Sequence, residues 1–510
     1  MKSLRIFVLI ALATLALPAA ASARSTQETI FQDDAAILAS DEAGQEATLL
    51  ELQALGVDAV RVNVIWKQYV PGTGNESSRP SGDPRDPSWY PEAKWARLDR
   101  FVQRATALRM QVLFSPAAAA ETASSSRLGL PKWARNRDGS PKDVEFERYV
   151  HALAKRYNGT YRGADGTLLP RVRRWSVWNE PNQGGWLQPQ WKKVKGRNIA
   201  YSPVTYRKLF TRARKSLRRT SGHSSSAIYA GELAPIGREG SRRTKTSPIS
   251  PGLFLREMTC LDSRYRAYRG GDKSRRSNCS GAKFTTNGLA IHPYTKGNRT
   301  NATTKHGRDE FPTGDLRGLT RMLDRIARTR RLPKRLRVYN TEFGFQTNPP
   351  DKPAGVSPSR QAQYENEAEY IHYRNSRVFS FNHYLMYDDR CGGSRCGGFQ
   401  TGLRYYQAES RRGAFKPAYE AFRMPIVVTS TSRTTRMRVW GAALGRGRRD
   451  VWIYNLSTKK VVKKLSASKT SRRGYFNVTV SGKRNHRFQL IDPTTKTTSR
   501  SARRSSSKVR

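Results

Sequence analysis

Two patterns in the amino-acid sequence predict an α/β fold, a (β/α)8 TIM barrel followed by a small C-terminal antiparallel β domain. Short apolar segments alternate with amphipathic segments of helical period along about residues 30–424, in eight strand-then-helix steps. Alternation of this kind produces parallel strands, and eight parallel strands can close into a barrel. From residue 426 onward the apolar period becomes two, which is typical of antiparallel strands.

The barrel elements are predicted from β-branched and aromatic runs for strands, and from caps and glycine stops for helices. Asp41, for example, precedes the first helix and Gly56 ends it. Strands are predicted at 29–38, 57–65, 110–114, 172–178, 227–232, 288–294, 336–342 and 378–387. Helices are predicted at 41–55, 92–108, 143–157, 203–219, 253–258, 314–330, 359–373 and 417–422. The total span fits a barrel with insertions, which runs from roughly 200 to over 400 residues.

The first 23 residues are predicted to be a secretory signal peptide. Lys2 and Arg5 precede an apolar run at 6–17, and residues 21–23 form a small-residue cleavage site. The alternative is an uncleaved anchor, but the run is shorter than the ~20 residues that span a bilayer. We therefore expect a secreted protein, extracellular or cell-wall associated, with no membrane contact after cleavage. The predicted units are the signal peptide 1–23, the barrel 24–425, a β-sandwich-like domain 426–491 and a disordered basic tail 492–510.

The four cysteines agree with export, because disulfides persist in oxidising compartments. Cys260 and Cys279 bracket a basic segment, and Cys391 and Cys396 bracket a short Gly-rich one. Three pairings are possible, of which the two local disulfides are the simplest. Zinc is the competing interpretation, but neither pair has the C-x2-C spacing with histidines at ligand distance. We expect no metal and no cofactor.

The formal net charge is +53, which predicts attraction to polyanions. The cations are spread along the chain, so two interpretations stay open. One is a solvated, arginine-rich surface, and the other is attraction to an anionic glycan or a cell-wall polymer. No recognisable nucleic-acid-binding motif is present, so no specific nucleic-acid partner is expected.

Two predicted strands end at a glutamate. Strand four runs into Asn179 and Glu180, and it stops there because Pro181 cannot continue a ladder. Strand seven ends at Glu342, followed by Phe343 and Gly344. Since the catalytic groups of a barrel gather at the C-terminal ends of its strands, both carboxylates are expected at one mouth. A pair of carboxylates is what hydrolysis of a glycosidic bond requires.

Other polar residues are predicted at the same mouth, where they are expected to bind the substrate. Strand two places Arg61 and Asn63 near its tip, and strand six places His292 and Tyr294. Arg61 and Tyr294 are suited to keep a nucleophilic carboxylate ionised by charge and hydrogen bonding. Asn179 is suited to hold a sugar hydroxyl, and a core position for His292 is the alternative.

Two further residues carry weaker predictions. Trp186 lies in the loop after strand four, where stacking on a sugar and ordinary loop packing both remain open. Glu232 ends strand five and is interpreted as a supporting hydrogen-bonding group rather than a third catalytic one.

Taken in order, Trp178-Asn179-Glu180-Pro181, His292-Pro293-Tyr294 and Thr341-Glu342-Phe343-Gly344 resemble motifs of clan A of the glycoside hydrolases. These are retaining barrel enzymes that include cellulase-like family 5 and β-xylosidase-like family 39. The resemblance covers about residues 30–424. It implies that Glu180 is the acid/base, that Glu342 is the nucleophile, and that Arg61, Asn179, His292 and Tyr294 support them. The implied function is a secreted retaining hydrolase of β-linked O-glycosidic bonds in a poly- or oligosaccharide.

The sequence also departs from the family pattern. Residues 383–389 at the eighth strand tip contain no tryptophan, where many members have a sugar platform. The third strand tip, Ser115-Pro116-Ala117, lacks the histidine common in family 5. These departures concern the substrate more than the reaction. The alternative function is a non-catalytic carbohydrate- or cell-wall-binding protein on a barrel scaffold, and a transglycosylase would use the same residues.

Overall fold

A computed structural model describes residues 27–39, 41–120, 127–237, 243–276, 279, 283–295, 297, 300–392, 396–406 and 413–509. The predicted signal peptide lies outside these ranges. The strands of the barrel region are β1 (Glu28–Gln32), β2 (Ala59–Ile65), β3 (Gln111–Ala117), β4 (Arg174–Ser176), β5 (Trp191–Val194), β6 (Arg197–Ala200), β7 (Ala227–Leu233), β8 (Gly288–Ile291), β9 (Val338–Asn340) and β10 (Ser380–Tyr384).

The α-helices are α1 (Asp34–Ile37), α2 (Glu42–Ala54), α3 (Trp66–Tyr69), α4 (Glu92–Ala107), α5 (Asp143–Arg156), α6 (Ser202–Arg219), α7 (Pro251–Met258), α8 (Gly270–Ser274), α9 (Leu316–Arg328), α10 (Pro358–Tyr373) and α11 (Pro417–Arg423). Within the described ranges, no helix has the length and apolar character needed to cross a membrane.

The central sheet is parallel and has the strand order β10-β1-β2-β3-β4-β7-β8-β9. A parallel bridge between Val338 and Val378 joins β9 to the segment before β10. The Val338 amide donates to Arg377 O at 2.8 Å, and the Phe379 amide donates to Val338 O at 2.8 Å. These bonds close the sheet into the predicted (β/α)8 barrel.

Both faces of the barrel strands are buried, as expected for parallel strands covered by helices. Inside the barrel, one layer of side chains fills the base: Ile30, Ala59, Leu113, Tyr229, Ala290 and Tyr339. The rings of Tyr229 and Tyr339 stack at 4.2 Å. Because this layer packs the lower interior, the polar groups collect above it, at the C-terminal ends of the strands.

Several strand ends differ from the predicted boundaries. The sixth barrel strand, for example, ends at Ile291 and the eighth at Tyr384. The first strand stops at Gln32 because the Asp33 side chain accepts from the Ala36 amide at 3.0 Å and caps α1. The fourth strand is limited to Arg174–Ser176. Beyond it the backbone of Trp178 takes a φ of 70° and that of Glu180 a φ of 37°, neither of which continues a ladder.

The C-terminal domain consists of β11 (Ile426–Ser430), β12 (Arg436–Ala442), β13 (Val451–Asn455), β14 (Lys460–Leu465), β15 (Tyr475–Ser481) and β16 (Phe488–Ile491). They form two antiparallel three-stranded sheets, β11-β12-β15 and β14-β13-β16. Apolar side chains from both sheets share one core, including Val428, Val439, Ile453, Phe476 and Leu490. The predicted antiparallel β domain is therefore present.

The prediction that residues 492–510 are disordered needs correction, because residues 492–509 pack onto this domain. The segment bridges to β16 through Ala502 and Phe488, and to β11 through Arg504 and Val428. Ala502 is 3% exposed and Val509 2%. The tail is mostly polar, so its few apolar residues gave no periodic pattern from which packing could be predicted. Its backbone bridges to strands of both small sheets, and the sequence does not show which strand edges are available.

The cysteines form two local disulfides. Cys260 is bonded to Cys279, and Cys391 to Cys396, as the simplest pairing predicted.

Candidate active site

Glu180 reaches the barrel mouth through a strained turn that follows β4. The left-handed φ values of Trp178 and Glu180 each cost on the order of 1–3 kcal/mol for a residue other than glycine. Local bonds hold this turn: the Trp178 amide donates to Pro116 O at 3.1 Å, and the Gln183 amide donates to Glu180 O at 2.9 Å. The Glu180 side chain is 20% exposed, so its carboxylate meets solvent at the mouth.

Glu342 follows the end of β9 by two residues and is more deeply buried than Glu180. The Tyr294 hydroxyl donates to its Oε1 at 2.9 Å, and the Arg61 guanidinium donates to its Oε2 at 3.3 Å. Its own amide donates to Asn340 Oδ1 at 3.2 Å. Burial raises the pKa of Glu342. The charges of His292 and Arg61 lower it, but the net shift is upward. Burial also raises the pKa of Tyr294, and so does the Glu342 charge, which keeps the phenol a donor.

Arg61 is the buried centre of the site. It donates to Asn179 Oδ1 at 2.7 Å and to Asn63 Oδ1 at 3.1 Å, and it also contacts Gln32 and Glu232. Burial alone would lower the pKa of Arg61, but the neighbouring carboxylates, Glu232 first, raise it. Arg61 is therefore a fixed cation that orients the amide of Asn179 and faces Glu342.

Glu232 is the partner that compensates this buried charge. It accepts from Arg61 Nε at 2.7 Å and from Ser115 Oγ at 2.8 Å. Burial raises the pKa of Glu232, but Arg61 lowers it further, and the net direction is downward. A bulge in β7 between Gly231 and Leu233 turns this side chain inward. At Gly231, where φ is 110°, an added Cβ would lie 2.2 Å from Ala290 O, so only glycine fits.

His292 stands between the two glutamates. Its Nδ1 lies 3.0 Å from Glu180 Oε1 and 3.8 Å from Glu342 Oε2. Burial by itself lowers the pKa of His292, but the charges of Glu342 and Glu180 outweigh it and raise the pKa. The ring is fully buried, as the alternative prediction of a core histidine requires. Its contacts nevertheless place it within the polar cluster.

The two asparagines differ in how fully their amides are engaged. The Asn63 side chain accepts from Arg61 and donates to Asp34 Oδ2 at 2.8 Å. Asn63 thus fixes Arg61 to α1. Asn179 accepts from Arg61, which directs its amide nitrogen away from the guanidinium. A role for either residue in binding a sugar stays a prediction.

Trp186 is half-buried in the loop after β4. Its carbonyl accepts from Trp178 Nε1 at 3.2 Å, which ties this loop to the turn that carries Glu180. Whether its ring stacks on a sugar stays a prediction.

Several residues at the mouth were missed by the sequence reasoning. Gln32 contacts Arg61, and Asp34 accepts a hydrogen bond from Asn63. Ser115 donates to Glu232. Gln32 and Ser115 are polar residues at strand ends, so the rule that found Arg61 could have found them. Phe399, which is 39% exposed, comes from a distant loop. Its ring lies 6.1 Å from that of Tyr294 and 5.3 Å from that of Tyr384, and no local pattern predicts this.

One atom each of Glu180, His292 and Glu342 lies within 4.8 Å of the others. A nitrogen and two carboxylate oxygens at such distances also form a possible ligand set for a divalent cation. Hydrogen bonds account for most of the same contacts, since His292 faces Glu180 at 3.0 Å and Tyr294 holds Glu342 at 2.9 Å. A metal requirement is therefore an outcome to be tested.

No protein-family model matches the chain, and no curated protein matches it in sequence. Among solved structures, it is similar to a family 39 glycoside hydrolase from the gut symbiont Bacteroides cellulosilyticus WH2. The identity is 13%, the TM-score is 0.50, and the match covers 90% of this chain and 82% of that one. At this identity the likeness shows the fold, a barrel of the kind found in one of the two families whose motifs the sequence resembles.

Two further structures match less closely. A family 1 β-glucosidase from Thermotoga maritima has 13% identity and a TM-score of 0.44, covering 74% of this chain and 84% of that one. A GH5_18 structure from Streptomyces cattleya in complex with GlcNAc has 14% identity and a TM-score of 0.46, covering 78% of each chain.

Proposed function

We propose that the protein is a secreted retaining glycoside hydrolase that acts on β-linked O-glycosidic bonds of a poly- or oligosaccharide. The observation that carries the proposal is the pair of glutamates at one barrel mouth, with a carboxylate oxygen of each within 4.8 Å of the other. Retaining enzymes place their two carboxyl groups about 5–5.5 Å apart, whereas inverting enzymes need roughly 6.5–9.5 Å to admit water. The short separation favours retention.

In the first step, Glu342 attacks the anomeric carbon as the glycosidic C–O bond breaks. Glu180 donates its proton to the leaving oxygen. In the second step, water attacks the glycosyl-enzyme, Glu180 takes the proton of the water, and Glu342 leaves as a carboxylate. Tyr294 and Arg61 stabilise the anionic form of Glu342, and His292 hydrogen-bonds Glu180 as its proton is lost and regained.

Export is supported by the predicted signal peptide and by the two disulfides. The alternative is a non-catalytic carbohydrate- or cell-wall-binding protein on the same scaffold. The retained pair of glutamates favours the enzyme, since binding alone does not require two carboxylates that face each other.

The decisive experiment uses a dinitrophenyl β-glycoside, whose leaving group needs no proton. Glu342→Gln should abolish turnover. Glu180→Ala should form the glycosyl-enzyme in a burst and hydrolyse it slowly, and added azide should restore turnover as the β-glycosyl azide. If Glu342→Ala with azide yields the β-azide while Glu180→Ala with azide yields the α-azide, the assigned roles are reversed.

Glu232→Ala is the matched control, because Glu232 is also buried at the mouth but is paired with Arg61. We expect it to lose activity without any rescue by azide. Turnover of the wild type should be unchanged by EDTA, and loss that is restored by a divalent cation would make the cluster a metal site. Absence of turnover on a broad panel of aryl β-glycosides and polysaccharides, with binding retained, would favour the non-catalytic alternative.

A further inference from the structure

A groove with a strongly cationic lining runs along α6 on the outside of the barrel. Its volume is about 790 Å³. Helix α6 contributes Arg207, Lys208, Arg212, Arg214 and Lys215 to the lining, and the opposite wall contributes Lys283 and Arg331. The lining includes one carboxylate, that of Asp143. The groove is separate from the barrel mouth, and neither glutamate of the candidate active site lines it.

Most of the exposed and half-buried charges of the lining are poorly compensated by the protein itself. Asp143 forms an ion pair with Arg212, with 2.5 Å between Asp143 Oδ2 and Arg212 Nε. In the described part of the chain, no carboxylate lies within ion-pair distance of the other exposed or half-buried cations of the lining: Lys208, Arg214, Lys215, Lys283 and Arg331. Uncompensated cations in a concavity repel one another and raise the local concentration of anions.

Arg207 forms the buried end of the groove and is held there by the protein. Arg207 donates to the carbonyl oxygens of Glu257 and Met258, at 3.0 and 3.1 Å. Burial lowers the pKa of Arg207 to about 10, and the charges of Arg331 and Arg276 act in the same direction against that of Glu257. An anion bound beside Arg331 would offset the part of this shift that comes from Arg331.

The charge of the lining varies from cavity to cavity. One cavity, of about 310 Å³, is lined by four cations and no carboxylate. A second cavity, of about 400 Å³ beside α2, is lined by five carboxylates and one cation, Arg390. The cationic groove also has a fixed wall, because Cys260 lines it and is bonded to Cys279. The groove is therefore preformed, and its seven cations exceed the four of the smaller cationic cavity.

We propose that this groove binds the carboxylate groups of an acidic polysaccharide. A single-stranded nucleic acid would require exposed aromatic rings on which bases stack. The aromatic rings of the lining, Phe210 and Phe284, instead stack on each other at 4.8 Å and are 1% and 7% exposed. A chain of uronic acids needs only cations at intervals and a concave path. Such binding is independent of cleavage and goes beyond the proposed function.

The test measures binding of fluorescent polygalacturonate oligomers by anisotropy, on the full chain carrying Glu342→Gln. The groove variant is Lys208→Gln/Arg214→Gln/Lys215→Gln. The matched control is Lys459→Gln/Lys460→Gln/Lys463→Gln, which removes the same number of charges from exposed positions in the C-terminal domain. We expect the groove variant to bind about tenfold more weakly, and the control to change little.

Equal weakening of the two variants would overturn the proposal, since it would mean attraction by the total charge. Stronger binding of single-stranded DNA than of polygalacturonate, lost in the groove variant, would also overturn it in favour of nucleic acid. Dextran sulfate competing through the groove with higher affinity would replace carboxylate by sulfate as the recognised group. Thermal melts check folding, and the exposed single variant Lys215→Gln repeats the measurement if the triple variant is unstable. Because the Glu342→Gln background is used throughout, failure here is independent of whether the protein is an enzyme.

Discussion

At the scale of single residues, the two central glutamates have different surroundings, as divided catalytic roles require. Glu342 is buried and holds two hydrogen bonds to its carboxylate, from Tyr294 and Arg61. Glu180 is more exposed and faces His292. Because burial raises the pKa of Glu342, its ionised form at working pH depends on those donors.

Tyr294→Phe tests this dependence. A hydrogen bond to a charged group contributes about 1.5–3 kcal/mol, so its loss should raise the pKa of Glu342 by about one to two units. The nucleophile is the carboxylate, and a higher pKa removes it over a wider acidic range. We therefore expect the acidic limb of the kcat/KM profile to move to higher pH, with kcat/KM lower by about 10–100-fold.

Tyr384→Phe is the control, since Tyr384 packs against Phe399 beside the site. Among the described residues, its hydroxyl makes no hydrogen bond to Glu342. Its acidic limb should coincide with that of the wild type. An unchanged acidic limb in Tyr294→Phe would mean that this pKa belongs to another group.

At the scale of elements, the loop after β10 is anchored by a buried cation that precedes α11. Lys416 Nζ donates to Asp388 Oδ1 at 2.6 Å, to Thr347 Oγ1 at 2.9 Å and to Gln400 O at 3.1 Å. The Gly402 amide also donates to Asp388, at 2.9 Å. These bonds fix the segment that presents Phe399 at the mouth.

Lys416→Met should leave the Asp388 charge buried without its cation. Loss of one partner of a buried ion pair costs about 3–5 kcal/mol, so we expect the free energy of unfolding to fall by that amount. Urea denaturation measures it. Burial already raises the pKa of Asp388 against the pull of Lys416. The variant should therefore recover stability relative to wild type as pH falls and Asp388 becomes protonated.

Lys416→Met/Asp388→Asn is the matched control, because it removes both charges and keeps an acceptor for Gly402. Most of the lost stability should return. A double variant as unstable as the single one would show that the ion pair is not the cause.

At the scale of the whole molecule, the barrel and the C-terminal domain share a buried interface. Tyr370 and Tyr373 of α10 pack against Trp440 and Tyr475 of the β domain. Glu369 of α10 accepts from the Tyr475 hydroxyl at 2.7 Å and pairs with buried Arg446. The interface thus combines apolar packing with a compensated charge.

Removal of residues 426–510 should expose this face of α10 and leave Glu369 without its partners. We expect a truncated protein that aggregates or binds a hydrophobic dye, with a lower melting temperature than the full chain. Light scattering and dye fluorescence at matched concentration measure both. A monomeric truncated protein with wild-type stability would show that the domain is dispensable for folding.

The sequence by itself determined the barrel, its C-terminal β domain and the placement of Glu180 and Glu342 after the fourth and seventh strands. These follow from local period and from the rule that parallel strands end at one mouth. Pro181 was expected to stop the fourth strand, but the strand ends earlier, at Ser176. By the same rule for parallel strands, the sequence also indicated Arg61, His292 and Tyr294. Such features depend on residues that are close in sequence, so they can be predicted from the sequence alone.

Only the tertiary structure decided which of these groups touch. The pairing of Arg61 with Glu232 depends on a bulge in β7, and the position of Phe399 depends on a loop held by Lys416. The docking of the tail depends on which backbone edges the two small sheets leave open. The cationic groove likewise gathers residues from α6 and from segments far along the chain. Contacts of this kind arise from strand register and packing between distant segments, which composition and period do not encode.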